Sequence, residues 1–196
     1  MQHQAIRAHY DNDTITVYQA YPKTIALPAL QQQRFRAPFS FKRMTWSKPS
    51  YLWLMARSNW GNKPNQTHIL GIAISRTAWE KALSMGVLTH PALGIYPSGR
   101  AWEAAFAEAQ VHIQWDPERS LKGAKLNARS IQVGISRFLI EEFNEEWIQS
   151  ITDLTPLTRK ITQLRKAGNY RAAKRLLPTE RHYHVEASIA RRIGVC

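Results

Sequence analysis

His68-Ile-Leu-Gly-Ile-Ala-Ile-Ser75 is the stretch from which the fold can be read. It is an unbroken apolar run rich in β-branched residues. That composition predicts a central strand buried on both faces rather than a half-exposed one. Ser75 is placed to cap a helix over 76–85, with Gly86 ending it. Upstream, Thr14-Ile-Thr-Val-Tyr-Gln19 alternates and predicts a second strand. Residues 22–33 then predict a helix with Pro28 near its first turn. A short strand is expected over 43–46 and a helix over 49–57, where Tyr51, Leu52, Leu54 and Met55 recur at helical spacing. Residues 61–65 have loop composition. Downstream, helix is expected over 100–109, a strand over 111–115 stopped by Asp116-Pro117, and a strand over 129–135. A long helix over 136–151 follows, carrying Phe138, Leu139, Phe143 and Trp147, then helices starting at 155 and spanning 169–177.

That order predicts an α+β fold: a small mixed or split sheet flanked by helices, with a basic helical segment at the C-terminal end. A core over 1–153 and an extension over 154–196 are expected, with the break near residues 153–156. The chain of 196 residues is long enough to bury a core without a staple. Its lone cysteine, Cys196, excludes an internal disulfide, and a terminal thiol reads as incidental. Residues 1–13 are polar and show no signal peptide, and no apolar run is long enough to cross a bilayer. A cytoplasmic protein without membrane contact is the expectation.

Charge is the strongest functional signal. The net charge is +13, and residues 14–79 contain no Asp or Glu, whereas acids average about one residue in eight. Lys23, Arg34, Arg36, Lys42, Arg43, Lys48, Arg57, Lys63 and Arg76 fall inside that window. In the last forty residues Arg165 and Arg171 belong to a second basic run opposed only by Glu180 and Glu186. Such fields concentrate anions, so a nucleotide or nucleic acid is the expected partner. The alternative is a cationic face that serves solubility.

Phosphate loops, Gly-rich dinucleotide loops, His-Glu-x-x-His and Cys-x-x-Cys are absent. His182 and His184 lack further ligands in sequence, so no metal site is expected. Three clusters carry the remaining chemistry. The first is Tyr18-Gln19 at the end of a strand that leads into a helix. The second interleaves Arg43, Trp46, Lys48, Trp53, Arg57, Trp60 and Lys63, which offers phosphate pairing together with stacking planes. Trp46 and Trp53 can equally be core. The third is Gln114-Trp115-Asp116-Pro117-Glu118-Arg119 with Gln132. Glu118 with Arg119 reads as a general base and its orienter, or equally Asp116 to Arg119 reads as a turn closed by an ion pair. Gln132, inside an apolar strand, is a structural bridge or a ligand-facing group.

Taken together, Arg7…Tyr10-Asp11, Val17-Tyr18-Gln19-Ala20-Tyr21, Arg43-Met44-Thr45-Trp46…Lys48-Pro49-Ser50, Arg57-Ser58…Trp60, residues 114–119 and Ile131-Gln132-Val133-Gly134 resemble the family catalogued as domain of unknown function DUF 4291. That resemblance spans nearly the whole chain and implies a stand-alone domain without assigning an activity. A more distant resemblance is to ADP-ribosyltransferases, whose split sheet clamps NAD. It implies Tyr18 and Gln19 on the nicotinamide ribose and Arg43, Lys48 and Arg57 on the diphosphate, with Gln132 or Glu118 near the reacting carbon. Gln19 stands where that family has His or Arg, and Gln132 where it has Glu. Glutamine cannot supply the negative charge that steadies an oxocarbenium-like ribose, which leaves Glu118, Glu141 or Glu142 as stand-ins. The competing expectation is a non-catalytic nucleic-acid-binding protein using Trp46, Trp60, Lys63, Arg165 and Arg171.

Overall fold

In the computed structural model, which describes residues 4–92 and 94–195, the chain forms two sheets that meet along one seam. In chain order the elements are β1 (Arg7–Tyr10), β2 (Thr14–Tyr21), α1 (Lys23–Gln32), β3 (Thr45–Ser47), α2 (Tyr51–Ser58), β4 (His68–Ser75), α3 (Arg76–Ser84) and β5 (Gly86–Leu88). Then come α4 (Gly99–Ala107), β6 (Val111–Arg119), β7 (Lys125–Ile135), a short α5 (Ile140–Glu142) running into a π-helical turn (Phe143–Trp147), and β8 (Ile148–Asp153). The chain closes with α6 (Thr155–Lys166), α7 (Tyr170–Arg175), β9 (Arg181–His182) and α8 (Ala187–Ile193). The first sheet has the order β8-β4-β2-β1-β9 and the second β3-β7-β6-β5. All pairings are antiparallel except β5 with β6. The expected α+β class with a split sheet is what the chain adopts.

β4 is central, as its apolar run predicts: it pairs with β2 on one side and β8 on the other. The main core lies between the sheets. Ile15 and Val17 of β2, Ile72 and Ile74 of β4, and Val111, Ile113, Ile131, Val133 and Ile135 of the second sheet are all essentially inaccessible. Because strand side chains alternate, the odd positions of β6 and β7 face that core and the even positions point away from it. This alternation is what builds the site.

Three expectations need correction. Pro28 sits in the middle of α1, not its first turn. The helix survives the lost N–H because Ala26 and Ala29 are fully buried against the sheet, so packing outweighs the missing bond. The helix expected over 136–151 is instead one turn of α5, the π-helical turn and β8. The buried Asn144 side chain accepts the Phe35 N–H at 2.6 Å and donates to the Phe35 carbonyl at 3.2 Å, anchoring this turn to a distant loop. Ile148 and Ile151 mimic helical spacing because the β4–β8 ladder shifts register between Ala73 and Ile74, which lets both face inward. Phe138, read as a core position, is 70% exposed.

Residues after Asp153 stay on the core. β9 adds to the edge of β1, and α8 contributes Ile189 and Ile193 to the main core. α6 and α7 place Ile161 and Ala173 in a smaller cluster with Tyr18, Tyr51 and Ile69. No helix among the described residues is long and apolar enough to cross a membrane. Cys196 lies outside the described residues.

Candidate functional site

The two sheets are stitched at β2 and β3. The Tyr18 N–H donates to the Lys48 carbonyl at 2.6 Å, just beyond the point where β1 stops pairing with β2. Side chains reinforce the seam. Gln19 Nε2 donates to Ser47 Oγ at 2.8 Å, and Tyr21 Oη donates to Gln19 Oε1 at 2.7 Å and lies 3.1 Å from Thr45 Oγ1. Burial pushes the Tyr21 phenol up to about 12, so its proton stays available for donation. Tyr21 is in turn wedged edge-on against Phe35 and Phe39, which stack on each other at 4.4 Å. Gln19 is therefore fixed at both ends of its amide.

From this seam the sheets diverge around a cavity of about 890 Å³. Its walls are the end of β2, the loop before β3, β3 itself, α2 and the outward faces of β6 and β7. α2 is held at its start by Ser50 Oγ, which accepts the Trp53 N–H at 3.2 Å, and by Glu180 Oε1, which accepts the Tyr51 N–H at 2.7 Å. That anchoring presents Trp53 and Arg57 to the cavity from successive turns.

Six sequence-predicted residues converge there: Gln19, Arg43, Trp46, Lys48, Arg57 and Gln132. Lys48 is only 7% exposed. Its Nζ donates to the Trp46 carbonyl at 3.1 Å and lies 5.4 Å from the centre of the Trp53 ring. Burial, assisted by the Arg57 charge and opposed by that of Asp116, pushes the Lys48 ammonium down to about 7.

The sequence reading placed Asp116 at a strand stop and in a turn, not in the site. It pairs with Ser130 in the β6–β7 ladder, while Gln114 pairs with Gln132 one step along the same face. Both glutamines thus reach it, one along its own strand and one diagonally across. Gln114 Nε2 donates to Asp116 Oδ1 at 3.0 Å and Gln132 Nε2 to Oδ2 at 2.9 Å. The carboxylate is aimed into a cavity that Arg43, Lys48, Arg57, Arg119 and Lys125 also line, five cations facing one acid. Gln132 acts on this site by orienting that acid. The missed signal was the alternation Gln114-x-Asp116 opposite Gln132, hidden because the strand was expected to stop at Asp116-Pro117.

Other expected residues lie elsewhere. Tyr18 faces away from Gln19, as neighbours on a strand must, and packs edge-on to Tyr51 at 5.5 Å, so it does not line the cavity. Glu118 likewise does not line it; its carboxylate accepts the Arg119 N–H at 2.7 Å. Its charge instead reinforces the effect of burial on Glu180, whose carboxyl is pushed up to about 8. Trp60 is covered by the Arg165 guanidinium at 3.9 Å, and Arg165 Nε donates to the Leu121 carbonyl at 2.8 Å. Lys63 is half-buried in a mostly exposed loop and Arg171 is exposed on α7. These four do not join Trp46 in the cavity.

A family model described as a domain of unknown function, DUF4291, matches residues 5–183. The chain belongs to the DUF4291 family. The match takes in both sheets and every residue named above as lining the cavity. No curated protein matches the chain.

One glycine of this DUF4291 domain governs the cavity wall. A Cβ on Gly134 would stand 2.7 Å from Met44 Sδ and 3.0 Å from the Trp46 ring, and both side chains line the cavity. Gly134→Ala is expected to cost about 1–3 kcal/mol through overpacking. It should also weaken whatever the cavity binds. Thermal melting with and without ligand checks both effects.

Proposed function

We propose that the cavity binds NAD or a related nucleotide and that the chain is an ADP-ribosyltransferase-like enzyme. One observation carries this reading: a cleft between the sheets lined by five basic side chains and by one carboxylate, which two glutamines hold. The cations suit a diphosphate, and the cavity of about 890 Å³ falls within the range of ligand sites. Trp46 and Trp53 supply planes for an aromatic ring. Glutamine at position 132 was the departure that argued against such chemistry. Asp116 removes the objection, because it supplies the negative charge and Gln132 fixes its direction.

In this reading Arg43, Arg57, Arg119 and Lys125 neutralise the diphosphate. Gln19, locked by Ser47 and Tyr21, presents a rigid edge to the nicotinamide half. When the ribose–nicotinamide C–N bond breaks, nicotinamide leaves with the electron pair and positive charge builds on the ribose. Asp116 faces that charge from a preorganised position, the arrangement with the largest effect on a transition state. An acceptor nucleophile, a group on nucleic acid or water, then closes the bond to the ribose carbon.

Thermal stability with and without excess NAD tests the binding. A ligand at a hundred times its Kd adds about 2.7 kcal/mol, which is several degrees for a domain of this size. Both Arg57→Ala and Gln19→Ala are expected to abolish the shift; a shift unchanged in both variants would overturn the site. A second reading draws on Arg159, Lys160, Lys166, Arg171, Lys174 and Arg175, which are exposed on α6 and α7. It makes that face a nucleic-acid surface. Stabilisation by a single-stranded oligonucleotide, steeply salt-dependent, with none from NAD would favour it.

A further inference from the structure

Lys48 is a buried amine whose chemistry the nucleotide reading leaves unused. The residue is 7% exposed and lines the cavity, and its Nζ makes one hydrogen bond, to the Trp46 carbonyl. The ion pairs found among the described residues join Arg36 to Glu145, Arg76 to Glu80 and Lys81 to Glu142, and none includes Lys48. The titratable groups lining the same cavity are Tyr21, Arg43, Arg57, Asp116, Arg119 and Lys125. Four of these are cations, so a further positive charge on Lys48 is disfavoured while an anionic ligand is attracted. An amine in that setting is a nucleophile near neutral pH.

We propose that Lys48 condenses with the carbonyl carbon of an anionic aldehyde held in this cavity, forming an imine. The proposal rests on the reading of the cavity as an anion site. The substrate class is a phosphorylated aldehyde, which includes the open-chain form of a ribose freed at its first carbon. The Nζ lone pair bonds to the carbonyl carbon and the C=O π pair moves to oxygen, giving a carbinolamine after proton transfer from nitrogen to oxygen. The hydroxyl then leaves as water, taking the proton that remains on nitrogen, and the nitrogen lone pair closes the C=N bond. Amine plus aldehyde gives imine plus water, with no oxidant or reductant. Asp116, near enough for its charge to act on Lys48, is the counter-ion when the imine is protonated.

The probe is pyridoxal 5′-phosphate, followed by borohydride reduction and peptide mapping by mass spectrometry. The expected result is labelling of Lys48 at least tenfold faster than at any exposed lysine, and at least tenfold faster than with pyridoxal, which lacks the phosphate. The rate should reach half its plateau near pH 7, where burial sets this ammonium, instead of near 10.5. Lys48→Arg should remove the adduct while keeping the positive charge. Labelling spread over exposed lysines, with Lys48 no faster than they are, overturns the proposal without needing any variant. A parallel thermal shift with 4-deoxypyridoxine 5′-phosphate, which carries the phosphate but no aldehyde, separates the two claims. Stabilisation without a Lys48 adduct defeats the nucleophile and leaves the anion site standing. Neither stabilisation nor adduct defeats both.

Discussion

On the proposed transferase reading, Asp116→Asn is expected to lower the rate of nicotinamide release from NAD by about 10²–10³-fold while leaving NAD binding intact or slightly tighter. The two effects have opposite signs for one reason. Among the described residues Asp116 is the only carboxylate lining the cavity, so its charge opposes an anionic ligand in the ground state. The same charge helps only when positive charge develops on the ribose, so its removal falls on kcat and spares KM. The substitution also leaves the Gln114 and Gln132 amides facing one acceptor and one donor, where both now donate to the carboxylate. Asp116→Glu keeps the charge but moves it by a methylene, and should recover part of the rate. A loss in binding equal to the loss in turnover would make Asp116 a structural group and withdraw it from the chemistry. Release of nicotinamide under single-turnover conditions, beside the thermal shift with NAD, measures the two effects separately.

How far the sequence reveals this site depends on which contacts are local. Lys48, Trp46 and Arg43 fall within six residues, and the acid-free window pointed to them directly. The central place of β4 was equally legible, since an apolar run with no polar face needs neighbours on both sides. Asp116 was not legible because Asp-Pro ordinarily ends a strand. β6 continues to Arg119 because β5 covers only residues 111–113 of it, leaving the side that Pro117 cannot serve without a partner. The π-helical turn after α5 escaped for a different reason. Asn144 satisfies the backbone of Phe35, more than a hundred residues earlier in the chain, and no local pattern encodes that pairing. The same holds for Glu180 at the start of α2 and for the Tyr18–Lys48 bridge that joins the sheets. Composition set the expectation of an anionic ligand; long-range pairing decided which residues share the cavity and which, like Tyr18 and Glu118, turn away from it.

Lys48→Met is expected to raise thermal stability at pH 6 and to lose that advantage as the pH rises towards 10.5. Burial holds the folded-state value at about 7 against an ordinary 10.5, so across this interval the unfolded chain binds more protons than the folded one. By linkage, wild-type stability then increases with pH between 7 and 10.5. Below 7 both states carry the charge and the full penalty of keeping an ammonium in the cavity wall applies, about 5 kcal/mol at its upper limit. Methionine has nearly the same length and no charge, so at pH 6 the variant should melt several degrees higher. Losing the hydrogen bond to the Trp46 carbonyl subtracts a smaller amount that varies little with pH. The diagnostic is therefore the slope of the difference between the two proteins, not its value at one pH. Calorimetric melts at several pH values from 6 to 10 give that slope. A difference that does not change with pH would mean that Lys48 reaches water and stays charged throughout. It would then act in the cavity as a fixed cation beside Arg57, and the cavity would hold anions by charge alone.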